Sequence, residues 1–213
     1  MRTPFITIEE AVSLLQKGEI VAFPTETVYG LGALASHSEA IAKIYQVKGR
    51  ELSKQLLLHV ADLKTVNPFV MELPPLFDLL ADAFLPGPLT LIVKAEANAI
   101  YPNNFSSCLG IASTIGIRMP SHPIAQHLIR SLGAPLFATS ANRSGSRSPI
   151  TAFDVLEELD GRIAGVIDGG AAVFGVASTI IDLSGPSPRL IREGAIEIES
   201  IRKILETQCI ALE

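Results

Sequence analysis

The sequence has few of the residues on which several protein classes depend. Its 213 residues include no Trp, and aromatic residues make up 6% of the chain, so a sheet of exposed rings that stacks on bases is disfavoured. Cys108 and Cys209 are far apart and form no Cys-x-x-Cys pair, which argues against a disulfide framework or a zinc ribbon. No uncharged apolar run reaches the roughly eighteen residues that a membrane span requires.

An excess of basic charge is also missing. The formal net charge is −5, so the surface as a whole should not attract nucleic acid or anionic membrane, and any basic patch must be local. Residues 1–7 lack the apolar stretch of a signal peptide, which predicts a cytoplasmic location. The length suits a single domain, 1–213, whose core needs no metal or disulfide.

Helical and strand patterns alternate along the chain. Thr7 and Glu10 form a capping box that predicts a helix ending at Gly18, and Thr151 with Asp154 opens another. Further helices are predicted over 38–47, 76–84 and 200–208 and after Ser121-His122-Pro123, and strands over 19–23, 56–60, 89–93, 115–119, 136–139, 165–168, 178–183 and 189–192. This alternation predicts a layered α/β domain with sites at strand ends. Residues 98–107, the least patterned stretch, are expected to form a surface loop.

A hydroxyl-rich segment at 23–29 leads into two glycines. Gly30-x-Gly32-x-x-Ala35 matches a relaxed dinucleotide-binding fingerprint. However, a six-residue segment separates the strand from the glycines, and a basic loop follows where an acid-tipped strand is required, so a nicotinamide-dependent oxidoreductase is disfavoured. A turn before a helix is the other interpretation.

Two further clusters suit a ligand that carries phosphate. Lys48, Arg50 and Lys54 place three cations within seven residues of an acidic protein, and such groups bind phosphate oxygens. The alternative is a basic helix end that complements the helix dipole. Ser140 and Asn142 lie in a loop, 139–148, dense in short hydrogen-bonding groups, which suits either a ligand-binding loop or a solvated linker. The loop contains no Gly-x-Ser-x-Gly elbow of a hydrolase nucleophile.

Two arginines end otherwise apolar strands. Arg118 therefore needs an anionic partner, which is either a protein carboxylate or a substrate, and Arg192 poses the same question. His59 ends an apolar run, where a packed histidine is more common than a ligand. His122 and His127 are five positions apart and do not share a helical face, so no metal site is expected.

Taken in order, eight segments of the chain resemble the YrdC-like threonylcarbamoyl-AMP synthase family. They are FPTETVYGLG at 23–32, KGR at 48–50, PGPLT at 86–90, GIRMPSHP at 116–123, SANRSG at 140–145, IDGG at 167–170, ASTIID at 177–182 and IREGAI at 191–196. The resemblance covers roughly residues 5–205. It implies a three-layer α/β domain in which helices flank a twisted mixed sheet around an open basic cavity.

The resemblance also implies an activity, that of a nucleotidyltransferase. L-threonine, bicarbonate and ATP would be condensed to threonylcarbamoyl-AMP and pyrophosphate, and a separate transferase complex would pass the threonylcarbamoyl group to tRNA. Mg²⁺ would accompany ATP, held largely by its phosphates. The alternative is a non-catalytic RNA-binding protein that uses the same basic cavity, and a weak RNA contact is compatible with either.

Motif by motif, the resemblance assigns residues to two halves of the site. The nucleotide half comprises Lys48, Arg50, Lys54, Thr114, Ser140, Asn142, Ser148 and Arg192, of which Lys48 and Arg50 are the catalytic residues. The L-threonine half comprises Thr27, His59, Arg118 and Ser178.

Three departures from the family pattern affect these loops. Glu51 stands where Pro is common, Lys54-Gln55 replaces a frequent Asn-Pro, and Ala177 occupies a position that often holds an acid. We expect the loop after Lys48 to close differently and the activity to be lower. The chain ends soon after Ile196, as expected for the short, single-domain form.

Overall fold

The computed structural model describes residues 2–96 and 114–213. Within them the chain forms six α-helices: α1 (Ile8–Gln16), α2 (Ser38–Lys48), α3 (Pro75–Phe84), α4 (Pro123–Leu132), α5 (Ala152–Leu159) and α6 (Ile198–Glu206). It also forms nine strands: β1 (Val21–Phe23), β2 (Gly30–Leu34), β3 (Leu57–His59), β4 (Leu89–Lys94), β5 (Thr114–Arg118), β6 (Leu136–Ser140), β7 (Gly165–Val166), β8 (Thr179–Asp182) and β9 (Arg189–Arg192). A 3₁₀ segment, Leu63–Phe69, precedes α3. The predicted loop at 98–107 and Cys108 lie outside the described residues.

All nine strands join one mixed sheet in the order β7-β1-β2-β6-β3-β5-β4-β8-β9. The pairs β1–β7, β3–β5 and β4–β8 are parallel, and the other neighbours are antiparallel. Because β6 lies between β2 and β3, segments far apart in sequence end side by side in the middle of the sheet. None of the helices in the described part of the chain is both long enough and apolar enough to cross a membrane.

Helices cover both faces of this sheet. On one face, α1 and α4 pack over a cluster that contains Phe23, Leu136 and Ala138. On the other face, the remaining helices contribute Ile41, Phe77, Val155 and Ile201 to a larger core. The three layers confirm the predicted α/β class, because each amphipathic helix buries its apolar side against the sheet.

Side chains along the middle strands alternate between the two faces of the sheet, so every second one points away from the larger core. On β5, Ile115 and Ile117 are buried in that core, so Gly116 and Arg118 face the opposite side of the sheet. On β3, Leu58 points into the core, so Leu57 and His59 face the same way as Arg118. This second face of the middle strands carries the candidate site.

Local sequence signals correctly predicted most of these elements. The capping boxes of Thr7 with Glu10 and of Thr151 with Asp154 both form. Each of the eight predicted strands forms within two residues of its expected ends, and so do the helices predicted over 38–47, 76–84 and 200–208.

The interpretation of Gly30 and Gly32 as a turn before a helix is wrong. Both residues lie in β2, which pairs antiparallel with β1 and places Gly30 opposite Phe23. A Cβ atom added at Gly32 would lie 2.9 Å from Phe23 Cε1, and one at Gly30 would lie 3.1 Å from Phe23 Cζ. The glycines therefore make room for the Phe23 ring. Because they are not followed by a helix N-terminus, the dinucleotide-binding interpretation is wrong as well.

Candidate active site

A cavity of about 170 Å³ lies on the face of the sheet that Arg118 occupies. Its lining consists of Thr25, Val28, Tyr29, Gly30, Arg50, Gln55, Leu57, His59, Arg118, Thr139, Ser140, Ser148, Ala177, Ser178, Ile180 and Arg192. Three of these described residues are arginines and none is a carboxylate. The cavity therefore suits an anionic ligand that can also accept hydrogen bonds from hydroxyl groups.

Arg118 has a protein carboxylate as its partner. Its Nη2 lies 3.0 Å from Glu26 Oε1, and both side chains are only 6% exposed. The same nitrogen donates to Thr27 Oγ1 at 2.5 Å and to Thr25 Oγ1 at 3.3 Å. Among the described residues, the buried Nε atom of Arg118 has no hydrogen-bond partner. Nη2 is thus saturated by protein acceptors, whereas Nε still needs one.

The hydroxyl-rich segment folds back on itself beside Arg118. Thr25 Oγ1 donates to the Val28 carbonyl at 2.6 Å and accepts from the Thr27 and Val28 amides, each at 3.3 Å. A hydroxyl that bonds to the backbone two and three residues on is a local turn device. The next side chain, Tyr29, anchors the segment through its hydroxyl, which lies 2.8 Å from the Gly170 carbonyl.

His59 lies next to Arg118 and is uncharged at neutral pH. The side chain is buried, with Nδ1 3.3 Å from the Leu57 carbonyl and the ring edge-on to Phe23. Burial lowers the pKa of His59 to about 3, and the positive charge of Arg118 adds to this effect. His59 can therefore offer the cavity a hydrogen bond but not a positive charge.

Arg192 and Ser178 form another part of the cavity wall. Arg192 donates from Nε and Nη2 to the Ser178 carbonyl at 3.0 and 2.9 Å, and Nη2 also lies 3.2 Å from Ser178 Oγ. That hydroxyl lies 2.8 Å from Thr90 Oγ1. Burial lowers the pKa of Arg192, and the charges of Arg118 and Arg50 lower it further. Arg192 is thus close enough to Arg118 and to Arg50 to be repelled by both, and a bound anion would relieve that repulsion.

Arg50 closes the loop that follows α2. Its Nε donates to the Lys54 carbonyl at 2.9 Å and its Nη2 to the Gln55 carbonyl at 2.8 Å. Burial lowers the pKa of Arg50. Lys54 points away, and its Nζ lies 3.4 Å from Glu51 Oε1 in an exposed ion pair. The departures at Glu51 and Lys54-Gln55 therefore give this loop an ion pair on its outer side and leave Arg50 on the cavity.

Lys48 lies behind the cavity and ties α2 to the loop after β6. Its buried Nζ donates to the Ser140 carbonyl at 2.5 Å, to the Asn142 carbonyl, and to Asn142 Oδ1 at 3.4 Å. Burial lowers the pKa of Lys48 to about 7, with the charge of Arg50 as the next cause. The three oxygen acceptors act in the opposite direction, because only the ammonium form can donate to all of them.

Asn142 serves the same loop through its amide. Its Nδ2 donates to the Arg143 carbonyl at 3.0 Å and to the Ser146 carbonyl at 2.7 Å, and the side chain is 5% exposed. These contacts shape the polar loop from within, so that Ser140 and Ser148 reach the cavity wall.

Comparison with known proteins identifies the lineage of this site. The Sua5/YciO/YrdC family model, described as telomere recombination, matches residues 13–194. The chain belongs to this family. It is 43% identical over 198 residues to threonylcarbamoyl-AMP synthase of Bacillus subtilis, covering 93% of this chain and 56% of that protein. A putative threonylcarbamoyl-AMP synthase of Mycobacterium tuberculosis is 34% identical over 206 residues, which is 96% of this chain and 92% of that protein.

A solved Sua5 structure agrees with this assignment. The crystal structure of Pyrococcus abyssi Sua5 complexed with L-threonine superposes with a TM-score of 0.89 at 39% identity. The alignment covers 97% of this chain and 58% of that one. The chain thus spans little more than half the length of the Bacillus and Pyrococcus proteins.

The structure brings together most, but not all, of the residues that the family resemblance singled out. Those on the cavity wall are Arg50, His59, Arg118, Ser140, Ser148, Ser178 and Arg192. The wall as described does not include Lys48, Asn142 or Thr27, which support it from behind, nor Lys54 or Thr114. Glu26, Thr25 and Tyr29 were not among the predicted site residues, although all three lie in the first motif.

Protein ligands for a metal ion do not converge on this site. In residues 2–96 and 114–213, no group of three or more His, Cys, Asp or Glu side chains could hold a metal. Ala177 lines the cavity at the position where an acid was expected. A magnesium site built from the side chains described here does not fit, so we assign no step to a protein-bound metal.

Proposed function

We propose that this chain is an L-threonylcarbamoyladenylate synthase. It would condense L-threonine, bicarbonate and ATP to threonylcarbamoyl-AMP and pyrophosphate, for modification of tRNA. The observation that carries the proposal is the cavity wall, where Arg50, Arg118 and Arg192 meet hydroxyl groups and the described lining holds no carboxylate. The names of the relatives supply the reaction, and this cavity has the charge that the reaction requires.

The proposed chemistry needs positioning and charge neutralisation rather than a protein nucleophile. The threonine amine would attack the carbon of bicarbonate and lose a proton, giving a carbamate and water. A carbamate oxygen would then attack the α-phosphorus of ATP in line, and the bond to the β-phosphate oxygen would break as pyrophosphate leaves. Arginine side chains stabilise the negative charge that accumulates on the phosphoryl oxygens.

We divide the donors that line the cavity between the two halves of the site. Arg118, with an unpartnered Nε, would face the threonine carboxylate together with Ser178 and the neutral His59, while the Thr27 hydroxyl would support Arg118 from behind. Arg50, Arg192, Ser140 and Ser148 would face the phosphates and ribose of the nucleotide, and Lys48 and Asn142 would hold the loop that runs from Ser140 to Ser148. Lys54 and Thr114 remain predicted members of the nucleotide half.

The proposal extends to the partners and the setting of the enzyme. Magnesium would arrive with ATP, bound by its phosphates, and a transferase complex would take the labile product to tRNA in the cytoplasm. The whole chain, 1–213, would act as one domain. The alternative, RNA binding without turnover, requires an affinity for RNA that falls steeply with salt.

Pyrophosphate release tests the proposal directly. The purified chain is supplied with ATP and magnesium, and L-threonine and bicarbonate are added separately and together. We expect release only when both are present, and formation of threonylcarbamoyl-AMP in equal amount. Release that needs neither cosubstrate, or no release under any of these conditions, would overturn the proposal.

A further inference from the structure

We infer that Glu26 is a positioning residue that acts through Arg118, orienting the guanidinium so that its Nε is left for the carboxylate of the amino-acid substrate. The inference rests on the proposed function for the identity of that substrate. Glu26 is not part of the cavity wall, so it would not touch the ligand itself.

The Glu26 carboxylate is held at both oxygens. Oε1 accepts from Arg118 Nη2 at 3.0 Å, and Oε2 accepts from the Ser121 amide at 3.1 Å. The backbone of Glu26 is fixed as well, because its carbonyl accepts from the Phe174 amide at 2.9 Å. A carboxylate restrained in this way has little freedom to rotate, and it transmits its position to Arg118.

The orientation of the Arg118 guanidinium is therefore set by the contacts of one nitrogen, Nη2. Nη2 meets Glu26, Thr25 and Thr27, whereas the buried Nε has no partner among the residues described. A buried donor without an acceptor is unfavourable unless a ligand supplies one. Because Arg118 lines the cavity, we expect a ligand oxyanion to supply this acceptor.

The negative charge of Glu26 has a second effect on the Arg118 side chain. Arg50 and Arg192 share the cavity with Arg118, and without Glu26 the described surroundings of Arg118 would hold positive neighbours and no ion-pair partner. Repulsion would then favour other rotamers of Arg118. Glu26 keeps the guanidinium in place while leaving the charges of Arg50 and Arg192 for the phosphates.

The test compares binding of L-threonine with that of L-threonine amide, which lacks the carboxylate charge. Calorimetric titrations are made with the wild-type chain, Glu26→Gln and Glu26→Asp, and ATP is titrated separately. Glu199→Gln is the matched control, because Glu199 forms an ion pair with Arg202 on the exposed surface.

In the wild type we expect L-threonine to bind at least about tenfold more tightly than the amide, a typical effect of one well-placed charged hydrogen bond. In Glu26→Gln this preference should fall to less than about threefold, with ATP affinity changed no more than in the control. Glu26→Asp should recover part of the preference. A purely structural loss would weaken both ligands equally, so an unchanged ratio in Glu26→Gln overturns the inference.

The outcome separates this inference from the proposed function. A wild-type chain that binds no L-threonine would overturn both. A wild-type chain that prefers L-threonine, together with a Glu26→Gln variant that prefers it equally, would overturn the inference alone. If Glu26→Gln does not fold, as judged by thermal unfolding, Glu26→Asp decides: a preference equal to that of the wild type counts against the inference, and a reduced preference supports it.

Discussion

The two sides of the cavity hold their arginines in different ways. Arg118 is 5% exposed and shares a buried ion pair with Glu26. In the contacts described, the Arg50 side chain donates hydrogen bonds only to backbone carbonyls of its own loop. Beside it lies the ion pair of Lys54 and Glu51, whose side chains are 52% and 70% exposed. A buried pair cannot separate without leaving a charge unsolvated, whereas an exposed pair can, so the first side is preorganised and the second can adjust to its ligand.

Breaking the buried pair should have the largest effect on stability. Arg118→Met leaves the Glu26 charge buried without a partner, and we expect the free energy of unfolding to fall by about 3–5 kcal/mol. Chemical denaturation at pH 7 measures the change. The double variant Glu26→Gln with Arg118→Met should recover a large part of it. A loss below about 1 kcal/mol would mean that this side is no more rigid than the surface.

The same buried side should respond to acid through His59. Its pKa is about 3 in the folded chain against an ordinary value of 6.5, so the unfolded chain binds the additional proton first as the pH falls. Stability should therefore decrease from pH 6.5 towards pH 3, by roughly 2 kcal/mol between pH 8 and pH 5. Urea denaturation at both pH values, for the wild type and His59→Gln, isolates this contribution. An identical pH dependence in the two proteins would contradict it.

On the adjustable side, Asn142 should have an intermediate effect. Asn142→Ala removes two amide hydrogen bonds to the carbonyls of Arg143 and Ser146 and one acceptor of Lys48, for which we expect a loss of about 1–2 kcal/mol. Because this loop follows Ser140 and carries Ser148, turnover should fall to background. Thermal unfolding and pyrophosphate release measure the two effects. Wild-type turnover would show that the loop does not need this amide.

The smallest effect should come from the exposed pair. Lys54→Ala is expected to change stability by less than about 0.5 kcal/mol, because exposed ion pairs contribute little. The KM for ATP should rise about tenfold or more in Arg50→Ala, the loss expected for one charged hydrogen bond, and remain within about twofold in Lys54→Ala. Steady-state kinetics with ATP as the varied substrate makes the comparison. A similar rise in both variants would place Lys54 in direct contact with the nucleotide.

Prediction from sequence succeeded where the signals are local. The capping boxes at Thr7 and Thr151 involve residues three apart, and the alternation of β5 is visible within five residues. It failed for β2, because two of its five residues are glycines, which have low strand propensity. Those glycines are explained by the Phe23 ring of the neighbouring strand, a contact that no local pattern shows.

For the candidate site, too, local features could be predicted from the sequence and contacts between distant segments could not. The position of Arg118 at the end of an apolar strand indicates that it needs an anionic partner. The short spacing of Lys48, Arg50 and Lys54 indicates that these three cations lie near one another. Which of these groups faces the cavity is not a local property. Lys48 turned inward to carbonyls 92 and 94 residues away, and Lys54 turned outward to its near neighbour Glu51.

Sequence alone was sufficient for the order of the helices and of every strand except β2, for the family, and for the kinds of groups that the site employs. Only the tertiary structure decided that Glu26, 92 residues from Arg118, neutralises that arginine while Arg50 and Arg192 stay without a carboxylate partner among the described contacts. The physical reason is that propensities and periodicities act over a few residues, whereas the partner of a buried charge depends on which strands lie side by side. Here the order β2-β6-β3-β5 sets that neighbourhood.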